Sequence, residues 1–241
     1  ITLAPDTENV LSNGGTYETV DDNNIDSVIF SKADLTLNGS GSLKVTAKEG
    51  HGVVSKDDLV ITGGTYNIEA ASQGLSGKDS IRILDGDFTV TAGKDVLHAE
   101  NEDDKEKGFV YIAGGTFALA SSGDGISASG DMTLLDGTYT ITAGGGSENG
   151  EDHQEESETT DEGEASETTS TKGIKAIGSL AVSGGTYTIY AADDGFHSNS
   201  DIAISGGILT IASGDDGIHA DGQVTVSDGT IVISESYEGI E

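Results

Sequence analysis

A 22-residue unit recurs along most of this chain, and no other feature narrows the fold as sharply. Each unit carries two apolar residues in alternation and a Gly-Gly or Asp-Gly turn. A run of the type Thr-Tyr-Thr-Ile-Thr-Ala follows, then a block of the type Asp-Gly-Ile-His-Ala. The residue five places before the second turn glycine marks the register: Leu59, Ile81, Val110, Met132, Leu180, Ile202 and Val224. Successive markers lie 22, 29, 22, 48, 22 and 22 residues apart, so one coil holds about 7 extra residues and another about 26. A unit this short cannot bury an apolar face alone and must stack on copies of itself. Its alternation is period two and no run is long enough for a helix, so each unit reads as three short strands. The expected fold is all-β, a right-handed parallel β-helix of about eight coils. The nonapeptide calcium-binding β-roll is a rival solenoid, excluded by the period and by the lack of a Gly-Gly-x-Gly-x-Asp run.

Stacking puts equivalent residues in rows about 4.8 Å apart. Tyr66, Phe88, Phe117, Tyr139 and Tyr187 then share a column that continues as Leu209 and Ile231. Ile68, Val90, Leu119, Ile141, Ile189, Ile211 and Ile233 form the next column of the same parity, so the aromatic row is core rather than a sugar-stacking surface. The turn glycines from Gly64 to Gly229 stack as well, supplying positive φ or close coil-to-coil approach.

Residues 1–34 fit the repeat poorly, although Asn13-Gly14-Gly15-Thr16-Tyr17 echoes it, and are expected to form a cap or an irregular first coil. Such a cap would cover a strand edge otherwise open to aggregation. The β-helix proper is expected over 35–241, interrupted by a charged loop from Glu100 to Lys107 and an acidic, non-periodic insertion at about 144–171. Ten carboxylates lie between Glu148 and Glu167, a composition expected to be solvated surface. Residue 1 is Ile, which reads as a mature or trimmed chain, and the repeat stops in mid-coil at Glu238-Gly239-Ile240-Glu241, as a chain that continues would.

Charge constrains the partners. Lys plus Arg number 11 against 43 Asp plus Glu, a formal net of -32. That argues against nucleic acid and against an anionic membrane surface. No run approaches the roughly 20 apolar residues of a membrane-spanning helix. There is no cysteine, hence no disulfide or thiolate metal site. A monomer that lives with counter-cations is the expectation.

One row concentrates the charge. Just before the third strand of each coil stand His51, Gln73, Asp95, Asp124, Lys172, Asp194, Asp216 and Glu238, with Asp193 and Asp215 doubling it in two coils. Two further rows lie on that strand: His98, Ser127, Lys175, His197 and His219, then Glu100, Ser129, Asn199 and Asp221. Carboxylates 4.8 Å apart repel by about 3.5 kcal/mol at an effective dielectric of 20. A calcium ion, taking six to eight oxygens, bridges two of them without distortion. Magnesium asks for tighter octahedral geometry, and zinc would prefer the histidines. The predicted calcium ligands are Asp95, Asp124, Asp193, Asp194, Asn199, Asp215, Asp216 and Asp221. Turn chemistry alone accounts for Asp-Gly at Asp85, Asp136 and Asp228.

The recurring Gly-Gly-Thr-Tyr-Thr-Ile and Asp-Asp-Gly-Ile-His blocks resemble those of a family of secreted bacterial carbohydrate-binding β-helix proteins from biomass-degrading clostridia, over about residues 35–241. The resemblance implies a build similar to pectate and other polysaccharide lyases, bound calcium, and affinity for cellulose or acidic sugars such as polygalacturonate. It also implies a secreted or cell-surface location. Calcium can join an acidic protein to an acidic polymer because the uronate carboxylate completes its shell. Lys172, Lys175, His197, His219 and Tyr190 are the residues expected to meet the glycan. Two other readings stand beside the binding protein. A polysaccharide lyase would use Lys175 as base beside calcium, although neighbouring carboxylates would hold such a base in its charged, idle form. A non-catalytic adhesive solenoid would bind calcium and no glycan.

Overall fold

A computed structural model describes residues 1–14, 17, 25–150 and 170–241 of the chain. Gly15 and Thr16 of the first repeat echo, and residues 151–169 of the expected acidic insertion, lie outside the described residues. Thr, Tyr, Ile and Val dominate the runs between glycine turns, and these β-branched and aromatic residues suit a pleated surface buried on one side. The burial pattern follows: Thr138–Ala143 alternates exposed and buried, with Tyr139, Ile141 and Ala143 inward.

Every strand pairs in parallel with its equivalent one coil away. One face of the solenoid contains Asp58–Ile61, Ser80–Ile83, Phe109–Ile112, Met132–Leu134 and Leu180–Val182. A second contains Thr65–Ala70, Asp87–Ala92, Thr116–Ser121, Thr138–Ala143 and Thr186–Ala191. These two merge where Ile202–Ser213 runs through both without a break, giving one sheet of 16 described strands. The third face is a separate sheet of 8 described strands, including Leu97–Ala99, Ile126–Ala128, Ile174–Ala176, Phe196–Ser198 and Ile218–Ala220. The fold is a parallel β-helix, with the register that the repeat predicts: Leu35, Leu59, Ile81, Val110, Met132, Leu180, Ile202 and Val224 stand opposite one another in turn. Thr2–Leu3, Glu8–Ser12 and Ser27–Ser31 belong to a first coil, and each pairs with one of the three faces.

The two long insertions leave the ladder undisturbed because they enter at corners. Phe117 still stacks on Phe88 at 4.9 Å and Tyr187 on Tyr139 at 4.5 Å, with rings nearly coplanar. Tyr139 also donates its hydroxyl to the Asp136 carbonyl at 2.9 Å, so the buried ring keeps its polar end satisfied. Two glycine columns serve different ends. Gly137, at φ 132°, holds the left-handed turn and lies over the Tyr139 ring, which a Cβ would meet at 2.8 Å. Gly195 is outside the left-handed region, but a Cβ there would strike Ile211 Cγ2 at 2.5 Å and the Gly217 carbonyl at 2.6 Å. The second column is therefore glycine for contact between coils, and its Asp-Gly step is not a turn.

Removing a ring from the middle of this column opens a cavity in a core that cannot collapse along its axis. Tyr139→Ala is expected to cost about 3–5 kcal/mol. Tyr190→Ala, at an outward position, should stay within about 0.5 kcal/mol. Urea unfolding followed by circular dichroism measures both.

Candidate functional site

The charged row lies at the corner where the second face turns into the third. The three-residue strands that follow point their first and third side chains inward and their middle one outward, which sets His98, Ser127, Lys175, His197 and His219 in one column on the surface. The aspartates themselves are sunk into the corner. Asp124, Asp194 and Asp216 are only 2%, 3% and 4% exposed.

Their burial is explained by the backbone. In three coils the aspartate carboxylate accepts an N–H that the turning main chain leaves unpaired. Asp95 Oδ1 accepts from the Asp124 N–H at 2.8 Å, Asp124 Oδ1 from the Lys172 N–H at 2.8 Å, and Asp194 Oδ1 from the Asp216 N–H at 3.0 Å. Lys172 has no acceptor to offer the next coil. There the Asp194 N–H goes to Asp193 Oδ1 at 3.0 Å, a use for the doubled Asp at that position.

The second oxygen of each carboxylate faces a nitrogen of the chain's own, a histidine ring or a lysine ammonium. Asp95 meets His98 Nδ1 at 2.7 Å, Asp194 meets His197 Nδ1 at 2.7 Å, and Asp216 meets His219 Nδ1 at 3.0 Å. Lys172 Nζ donates to Asp193 Oδ2 at 2.6 Å and lies 2.9 Å from Asp194 Oδ2. Lys175 Nζ donates to the Ser170 hydroxyl at 3.1 Å and stands 3.7 Å from Asp124 Oδ2. Burial alone would lower His98, but Asp95 and Glu100 outweigh it and push the imidazole up to about 9. Burial would likewise raise Asp194, yet His197 and Lys172 bring it down to about 2.

The eight predicted metal ligands fall into separate groups. Asp193, Asp194 and Asp215 present carboxylate oxygens within 4.8 Å of one another, a set that could coordinate a metal ion. Asp216 joins His219 and Glu241 in a second such set. His219 is pushed up to about 9, because Asp216, Asp221 and Glu241 overcome its burial. Burial lifts Asp216 to about 6, with His219 opposing and Glu241 adding to the rise. Asp95 and Asp124 belong to neither set. Asn199 donates to Asp221 Oδ2 at 3.0 Å, and Asp221 Oδ1 lies 3.2 Å from His219 Nε2.

Of the residues expected to meet glycan, Lys172, Lys175, His197 and His219 share this corner and sheet. The His197 and His219 rings stack at 4.9 Å. Tyr190 is in the other sheet, 45% exposed, and is not brought to them. Sequence reasoning passed over Glu241, although it stands one period beyond His219 and closes the second set. It also passed over Ser170, whose hydroxyl donates to Asp124 Oδ1 at 2.7 Å. Ser170 ends the non-periodic insertion, so no spacing pointed to it.

A family model described as carbohydrate-binding domain-containing protein matches residues 1–217, first coil included. A carbohydrate-binding domain-containing protein of Acetivibrio thermocellus is 35% identical over 147 residues, which is 60% of this chain and 51% of that protein. The match thus spans about half of the relative's length. A solved structure, that of a polysaccharide lyase-like protein from C. thermocellum as its gadolinium derivative, aligns at a TM-score of 0.46 and 18% identity, over 97% of this chain and 96% of that one.

The raised His98 makes a prediction with a definite sign. A folded-state value of about 9 lies above the unfolded value of 6.5, so the contribution is complete below pH 6.5 and is lost as pH rises through 9. Parent and His98→Gln should differ by on the order of 2 kcal/mol at pH 6, because half-exposed Glu100 is screened. The gap should close by about pH 10. Unfolding curves at the two pH values test this.

Proposed function

The chain belongs to the carbohydrate-binding domain-containing family, and from that premise we propose that it is an extracellular binding protein for plant cell-wall polysaccharide that uses calcium. An acidic polymer such as polygalacturonate is the ligand best suited to the charged corner, with cellulose the uncharged alternative. The observation that carries this reading is the placement of the Asp193–Asp194–Asp215 oxygen set beside the Lys172, Lys175, His197 and His219 side chains. Three carboxylates and no nitrogen or sulfur make a donor set for a hard cation, and calcium accepts such oxygens in flexible geometry. The set that includes His219 is less selective for calcium. Calcium, when bound, would offer coordination to a uronate carboxylate, and the lysines and histidines alongside would hold adjoining carboxylates and hydroxyls. The periodic ladder suits a periodic polymer, since each coil repeats the same outward position.

Lys172 gives the proposal a sharp test, because its ammonium already occupies two of the three carboxylates. An ion must displace it. Calorimetric titration should find calcium binding weakened at least tenfold in Asp193→Asn with Asp215→Asn, and tightened in Lys172→Met. Polygalacturonate gels should retain the parent in calcium and release it in chelator. Retention that is indifferent to chelator would refute the calcium-dependent reading.

A further inference from the structure

We propose that a different face of the solenoid carries a second site, a stacking platform for the pyranose rings of an uncharged glycan, built on Phe109 and Tyr111 with Arg82 as its clamp. The strand Phe109–Ile112 sends Val110 and Ile112 into the core, so alternation turns Phe109 and Tyr111 out on the same side. Among the described strands it alone presents two aromatic rings to solvent. Both are half-buried, and Tyr111 is followed in its column by Thr133, Ala181 and Ala203, which leave a flat floor.

Arg82 stands opposite Tyr111 in the preceding coil. Its guanidinium lies 5.0 Å from the centre of the Phe109 ring and 3.2 Å from Asp58 Oδ2, so both ring and cation are held in place before any ligand arrives. The extra residues of this coil form the wall. Lys105 and Glu106 line an open cleft of about 470 Å³ together with the two rings, Arg82 and Asp131. That size falls within the range of small-molecule sites. The wall is fixed from within. Buried Asn101 donates to Asp79 Oδ1 at 2.7 Å and accepts the Asp103 and Asp104 N–H groups at 3.0 and 2.9 Å, while Lys107 donates to Asp79 Oδ2 at 2.5 Å.

The chemistry of the cleft selects the ligand. In a chain of net charge -32, this spot sets two cations, Arg82 and Lys105, against two anions, Glu106 and Asp131. A balanced lining offers no net attraction to an acidic polymer, but it supplies donors and acceptors at the rim of an aromatic floor. A pyranose has the matching character, with an apolar C–H face for the rings and equatorial hydroxyls that both donate and accept. The platform rests on the family reading only in taking carbohydrate as the ligand class. Calcium plays no part in it.

The test uses the full chain in chelator, with cellohexaose, xylohexaose and mannohexaose as probes in calorimetry. The parent should bind at least one of them. Tyr111→Ala should weaken that binding about tenfold or more, as loss of an interface aromatic does, and Tyr111→Phe should change it by no more than a few-fold. Retention of Tyr111→Ala on polygalacturonate in calcium should equal that of the parent. Failure of the parent to bind any of the three, or parental affinity in Tyr111→Ala, would overturn the platform. So would loss of polygalacturonate retention in Tyr111→Ala, which would make the two faces one site. A parent that binds oligosaccharide but is not retained on polygalacturonate would leave the platform standing and remove the calcium-dependent reading instead.

Discussion

The parallel ladder of main-chain hydrogen bonds from coil to coil is the constraint on which everything else in this molecule depends. It forces residues one period apart into the same column, whatever they are. Where the column faces inward, only side chains that tolerate a copy of themselves at stacking distance survive, and hence the coplanar rings at Phe88, Phe117, Tyr139 and Tyr187. Where it faces outward, the same rule repeats one chemical group along the surface. Parallel sheets are ordinarily covered on both sides. Here the outer side is open, which is why Thr and Ser alternate with Ile and Val instead of giving continuous apolar strands.

The corner before the third face shows how the ladder manages charge. Taken as a row of free carboxylates, Asp95, Asp124, Asp194 and Asp216 would repel. Instead, one oxygen of Asp95, Asp124 and Asp194 takes an N–H from the next coil, and the second oxygen of each of the four meets a lysine or histidine. Breaking such buried pairs is expensive because the remaining charge is left desolvated. Much of the demand for an external cation is met internally, and at Asp193, Asp194 and Asp215 three carboxylates come together, two of them paired with the Lys172 ammonium.

The columns were legible in the sequence because a fixed period converts position directly into contact. Leu59 through Val224 and Tyr66 through Ile231 needed only counting. Glu241 stands one period beyond His219 and was passed over, because its value as a ligand depends on His219 turning Nδ1 toward it. Other features were hidden for physical reasons. An Asp-Gly step reads as a turn, and only the near-contact of Gly195 with Ile211 and Gly217 reveals a packing glycine. Doubled aspartates read as metal ligands, whereas Asp193 also replaces the acceptor that Lys172 lacks. Phe109 and Arg82 fall on either side of a seven-residue insertion, so their contact lay across a break in the period.

Calcium and Lys172 compete for the same carboxylates, and diffraction from crystals grown in calcium, recorded at a wavelength where calcium scatters anomalously, resolves that competition directly. The expected result is an anomalous peak within bonding reach of Asp193, Asp194 and Asp215, with the Lys172 ammonium moved away from Asp193. A map with no peak at that corner, and Lys172 still held between Asp193 and Asp194, would contradict the assignment of this corner as the calcium site.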